Sequence, residues 1–136
     1  MRILVAGALS SVAAIVMGWF FTGWLFHRFR SRNPATWKNP SWRRTLAGIA
    51  VNDVLFGFAF AAFFDLVGGI GRFNVDNWIG TGFAFGVGCW GAIALPMCLA
   101  MLVFMHVHRG VIIGVLLDWL ASSIMAGLIC AFVLAR

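Results

Sequence analysis

The chain has 136 residues, of which 62% are hydrophobic and only 10% charged, with no Glu and no Tyr. Soluble domains carry roughly 25% charged residues, so this composition, with its mean hydropathy of +0.98, excludes a water-soluble fold. The formal net charge of +6 is concentrated beside apolar stretches, which points to anionic lipid headgroups as the partner and away from nucleic acid.

The apolar residues gather into four runs, each close to or above the roughly 20 residues that a helix needs to cross a bilayer. Uninterrupted runs of this length lack the polar/apolar alternation of barrel strands. The expected fold is therefore all-α: a polytopic membrane protein with four transmembrane helices in an up-down bundle, filling one domain over residues 1–136. The first run covers 3–26. It opens with Met1 and Arg2 as a signal peptide would, but it continues without a small-x-small cleavage site and is read as a span. The loop at 27–44 holds Arg28, Arg30, Arg32, Lys38, Arg43 and Arg44, and its Asn33-Pro34 and Asn39-Pro40 pairs break helix around Trp37. The second run covers 45–68. A short turn, GGIGRFNVDN, leads to the third run at 78–104, where Pro96 is expected to kink the helix. Residues 105–110 then link tightly to the fourth run at 111–135.

Seven of the ten Lys and Arg residues, Arg109 included, fall on the side of the 27–44 loop, against Arg2, Arg72 and Arg136 on the other. The positive-inside rule makes that loop cytoplasmic and puts both termini on the outer, periplasmic side of a bacterial inner membrane. Trp24, Trp37, Trp42 and Trp78 lie at run ends, where indole rings favour the headgroup region.

Small residues at helical spacing mark the faces where backbones approach. Gly7, Ser11, Ala14 and Gly18 form such a stripe on the first run, and Ala50, Asp53, Gly57 and Ala61 on the second. Gly82 and Gly86 do so on the third, and Gly114, Asp118, Ser122 and Ala126 on the fourth. Asp53 and Asp118 carry the most information, because an ionised carboxylate in hydrocarbon costs about 2.5–3.5 kcal/mol on insertion scales. Both stand about two turns inside the cytoplasmic ends of their runs, with Asn52 and Ser122 close by. The four residues make a candidate proton or cation site if the stripes face inward. The competing reading has each Asp satisfying a backbone group, a basic residue or water. Asp65, near the outer end of its run, is expected to reach the interface and pair with Arg72.

Other constellations are weaker. His106 and His108, beside Met97, Cys98, Met101 and Met105, offer soft and borderline metal ligands, but the Met row at i, i+4, i+8 reads more readily as packing or lipid contact. Haem ligation by His27, His106 or His108 has even less behind it, and no cofactor is assigned. Cys89, Cys98 and Cys130 all fall in apolar runs, form no CxxC pair and read as small packing residues. Residues 86–91 fit GxGxxG literally, yet they lie in an apolar run with no preceding strand and no acidic ribose partner. No catalytic motif appears, so no enzyme activity is expected.

Gly82, Gly86, Trp90, Gly91 and Pro96, followed by LLDWLASSIMAG at 116–127 and joined by Gly18-Trp19, resemble the pattern of the DUF1761 family of small bacterial membrane proteins. The resemblance implies a four-helix membrane protein and brings no catalytic or binding residue with it. With packing surface abundant and chemistry sparse, the first functional expectation is a non-enzymatic accessory or scaffold subunit, packed against copies of itself or a larger membrane complex. The alternative is a small proton- or cation-coupled transporter that uses Asp53 and Asp118.

Overall fold

The computed structural model describes residues 1–25, 42–68, 77–105 and 107–134. They form four helices long and apolar enough to cross a membrane. Helix α1 spans Arg2–Leu25, α2 Trp42–Gly68, α3 Trp78–Phe104 and α4 Arg109–Leu134. The 27–44 loop apart from its last residues, the 69–76 turn, His106 and Arg136 lie outside the described residues, and with them His27, Trp37, Arg72 and the expected Asp65–Arg72 pair.

Helix starts follow from local chemistry. At α3 the Asn77 side chain accepts the Gly80 N–H at 3.0 Å, satisfying one of the donors that every helix N-terminus leaves open. At α4 the His108 Nδ1 accepts the Gly110 N–H at 3.0 Å, while the His108 carbonyl accepts from Val111 at 2.8 Å. That cap starts α4 at Arg109, two residues before the apolar run itself. Within α3, Pro96 has no N–H to donate and its ring crowds the preceding turn. The chain accommodates it with a π turn over Trp90–Ala94 immediately upstream, where the Leu95 N–H reaches back to the Trp90 carbonyl. The last seven residues of α1, Trp19–Leu25, are also wound as π helix.

Neighbouring helices run in opposite senses. Gly7 faces Phe58, and the Ser11 hydroxyl, which donates to the Gly7 carbonyl at 2.8 Å, lies 3.4 Å from the Val54 carbonyl. These pairings make α1 and α2 antiparallel. Ser10 against Cys130 at 3.8 Å and Gly18 against Asp118 do the same for α1 and α4. Gly82 against Gly127 and Gly86 against Ser123 complete the series for α3 and α4. The result is an up-down bundle with both chain ends at one pole.

The small-residue stripes face inward from Asp53 onward, with Gly7, Gly57, Ala61, Gly82, Gly86, Gly114, Ser122 and Ala126 all buried. Two crossings depend on glycine. A Cβ at Gly57 would run into the Ser11 side chain and lie 2.6 Å from the Gly7 carbonyl oxygen, and one at Gly82 would lie 2.6 Å from the Gly127 carbonyl oxygen. Such close approach supplies the van der Waals contact that must hold helices together where the surroundings are as apolar as the helices. Ala50 departs from the expected stripe and is exposed. The physical reason is the path of α1, whose terminal π segment packs on α4 rather than α2, leaving the first turns of α2 without a neighbour on that side among the described residues.

Helix α4 is central, packing on α1, α3 and α2, whereas α2 and α3 do not pack backbone to backbone along their length. Phenylalanines span the gap. Phe85 of α3 meets Phe60 edge-on with centroids 5.3 Å apart and Phe64 at 4.9 Å. Each such pair is worth about 0.5–1.5 kcal/mol beyond area burial. Phe60, Ala61 and Phe64 join Ala6, Ala126, Cys130 and Ala131 in the core.

Candidate functional site

An acidic cleft opens where α1 leans away from α2. It has a volume of about 330 Å³. Helix α1 contributes Ala14 and Gly18, α2 contributes Asn52, Asp53, Phe56 and Ala59 among others, and α4 contributes Asp118, Trp119 and Ser122. The four polar residues singled out in the sequence thus surround one space. The two carboxylates come from parallel helices: α2 and α4 both run antiparallel to α1, with Asp53 about three turns from the start of α2 and Asp118 about two and a half turns from the start of α4.

Local geometry orients both acids. The Asn52 side-chain amide donates to Asp53 Oδ1 at 3.1 Å, and the Ser122 hydroxyl, one turn along α4, lies 3.5 Å from Asp118 Oδ1 as its donor. Asn52 is exposed at the cleft mouth, whereas Asp53 and Asp118 are half-buried. Opposite Asp118 stands Gly18. A Cβ there would sit 3.8 Å from Asp118 Oδ2, so any longer side chain would occupy the space in front of the carboxylate. Gly18 is also the last residue before the π segment of α1, and π turns frequently mark functional positions.

A second cleft of about 210 Å³ adjoins the first, with Phe56, Ala59 and Trp119 lining both. Its remaining wall is Phe60, Phe63, Cys89, Ile93 and Ser123, which makes it almost wholly apolar. It lies where α2 and α3 fail to close on each other. Phe56 and Trp119 meet edge to face with centroids 6.1 Å apart and form the common boundary. Sequence reasoning missed Phe56, Trp119 and Ser123 because nothing in their spacing separates a cleft wall from ordinary packing. The one available signal was adjacency, since Trp119 follows Asp118 and Ser123 follows Ser122.

The metal-ligand constellation is dispersed. Met97 and Met105 point outward at 52% and 54% exposure while Cys98 is buried at 2%, so the soft ligands do not converge. His108 commits Nδ1 to its cap, His106 lies outside the described residues, and no group of three or more His, Cys, Asp or Glu able to hold a metal occurs among the described residues. Cys130 packs against Ser10 in the core, and Cys89 lines the apolar cleft. Residues 86–91, the GxGxxG string, are helical throughout. Trp90 makes a contact not foreseen from sequence: its indole N–H donates to the Leu116 carbonyl at 3.1 Å, tying α3 to α4 beside the π turn.

Fold and cleft together define a four-helix bundle, apolar enough to cross a membrane, with two acids on one internal space. No protein-family model, curated protein or solved structure matches the chain.

Proposed function

We propose that this chain is a bilayer-spanning, non-enzymatic carrier that exchanges protons for a monovalent cation at Asp53 and Asp118. In this reading the basic 27–44 loop is cytoplasmic and both termini are periplasmic. The observation that carries it is the shared cleft: two carboxylates from separate helices line one space, with Asn52 and Ser122 beside them and apolar or aromatic walls elsewhere. Acids placed this way inside a membrane bundle are costly and are seldom kept there without a role. Gly18 keeps the carboxylate face open, and Asn52 and Ser122 hold the acids in position.

The test is flux in liposomes reconstituted with the full chain and loaded with a pH-sensitive dye. An inward gradient of methylammonium, Na⁺ or K⁺ is expected to drive proton release through the wild type. Asp53→Asn or Asp118→Asn is expected to lower it at least about tenfold. Wild-type protein that moves no proton with any of these cations would overturn the proposal.

The accessory-subunit reading retains support from one feature: among the described residues α3 packs its backbone only on α4 and meets α2 through Phe85, which leaves most of its surface outside the bundle. Extraction in mild detergent followed by mass spectrometry tests it: a stoichiometric membrane partner or defined oligomer supports it, and a lone monomer refutes it. The DUF1761 resemblance belongs to the same proposal and is neutral between the two readings.

A further inference from the structure

We infer that the apolar cleft between α2 and α3 seats the acyl-chain end of an anionic phospholipid whose phosphate is held at the basic pole formed by Arg43, Arg44 and Arg109. This rests on the bilayer-spanning part of the proposed function and is independent of cation exchange. The almost wholly apolar walls of the cleft suit hydrocarbon and no polar ligand. The cleft is also open sideways, since Phe63 and Ile93, on its two flanking helices, are 47% and 58% exposed. In a bilayer that opening faces lipid chains. A cavity of about 150 Å³ accepts the six carbons of benzene, so one of about 210 Å³ takes roughly eight carbons, the terminal part of an acyl chain.

Charge complementarity fixes the class of lipid. Helices α2 and α4 are parallel, so their starts share one pole, and α3 ends there. Arg43 and Arg44 stand in the first turn of α2 and Arg109 begins α4, all three exposed. The first two turns of α2 and α4 and the last two of α3 contain no acid, which leaves a cationic surface whose guanidinium groups match phosphate. Depth agrees with charge. Phe56 follows Arg44 by twelve positions and Trp119 follows Arg109 by ten, roughly 18 and 15 Å along the helix axes. One leaflet of hydrocarbon is about 15 Å deep, so a chain whose headgroup lies at the pole ends in the cleft. Ile49, two turns nearer the pole than Phe56 on the same face of α2, and Met97, one turn nearer than Ile93 on α3, are both exposed and continue the apolar track between them.

The test uses the full chain in phosphatidylcholine nanodiscs with a trace of phospholipid carrying a diazirine at the end of one acyl chain, the headgroup being either phosphatidylglycerol or phosphatidylcholine. After illumination, peptide mass spectrometry locates the label. The phosphatidylglycerol probe is expected to mark residues 56–63 and 89–93 at least about tenfold more than the phosphatidylcholine probe, each arginine contributing about fivefold. Arg43→Gln, Arg44→Gln and Arg109→Gln together should bring that ratio to within about twofold, whereas Ile93→Trp, which fills the cleft at an exposed position, should clear the label from 56–63. Excess glycerol 3-phosphate, which has the phosphate but no chain, should leave the labelling unchanged; loss of label would assign the arginines to a free phosphate and overturn the inference. Equal labelling by the two headgroups, or label spread evenly over all four helices, overturns it without any variant and leaves the cation-exchange reading standing. No label on any helix from either probe removes the bilayer-spanning reading as well.

Discussion

Replacing Gly57 by Ala isolates the contribution of a close backbone approach. The added Cβ would lie 2.5 Å from the Ser11 nitrogen and 2.6 Å from the Gly7 carbonyl oxygen, against 3.4 Å where ordinary contact begins. Both obstacles are backbone atoms of a helix, which cannot rotate aside as a side chain would. Helices α1 and α2 must separate by roughly 0.8 Å, an overpacking of the kind that costs about 1–3 kcal/mol. Separation also lengthens the 3.4 Å approach of the Ser11 hydroxyl to the Val54 carbonyl; interhelical hydrogen bonds in membranes average about 0.6 kcal/mol. Against these stands a gain of about 1 kcal/mol in helix propensity. The expected net effect is destabilisation by about 0.5–2.5 kcal/mol. Gly88 is the internal control, because a Cβ there meets nothing within 4 Å, so Gly88→Ala should be neutral or stabilising. Unfolding in mixed micelles titrated with sodium dodecyl sulfate, followed by tryptophan fluorescence, measures both. A Gly57→Ala protein as stable as Gly88→Ala would refute the close packing of α1 on α2.

The remaining expectations use the same logic. Trp90→Phe keeps an aromatic ring but removes the bond to the Leu116 carbonyl, and should cost about 0.5–1.5 kcal/mol in the same unfolding assay. His108→Ala removes the α4 cap and should cost about 0.5–2 kcal/mol, with His108→Asn recovering most of it. Gly18→Leu fills the space before Asp118 and should block proton-linked flux while leaving the bundle folded, as read by circular dichroism. A small membrane-permeant maleimide should modify Cys89, which lines a cleft, well before Cys98 and Cys130, which are 2% and 0% exposed; mass spectrometry of peptides gives the order.

The four helices were legible in the sequence because hydrocarbon thickness and backbone hydrogen bonding leave few alternatives for runs this apolar. The third run and α3 coincide at 78–104, and α4 begins earlier than its run only because His108 caps it. The inward faces were legible too, since Gly57, Gly82 and Gly86 sit where only small residues fit. What the sequence concealed depends on how whole helices lean. Ala50 carries the right residue type at the right spacing, but α1 turns toward α4 before reaching it. The gap between α2 and α3 and the Phe56–Trp119 boundary arise from the same splay, and one-dimensional periodicity holds no record of it. Asp53 and Asp118 stood out from chemistry alone. That they line a single cleft required the parallel arrangement of α2 and α4.

The most direct measurement follows the side-chain carboxyl ¹³C signals of Asp53 and Asp118 in nanodiscs, assigned through the Asp→Asn variants, as methylammonium is added. If the two acids form one cation site, both signals should shift along a common saturation curve, and in Asp118→Asn the Asp53 signal should lose that response. Signals that shift independently, or stay fixed at saturating methylammonium, would contradict the shared site.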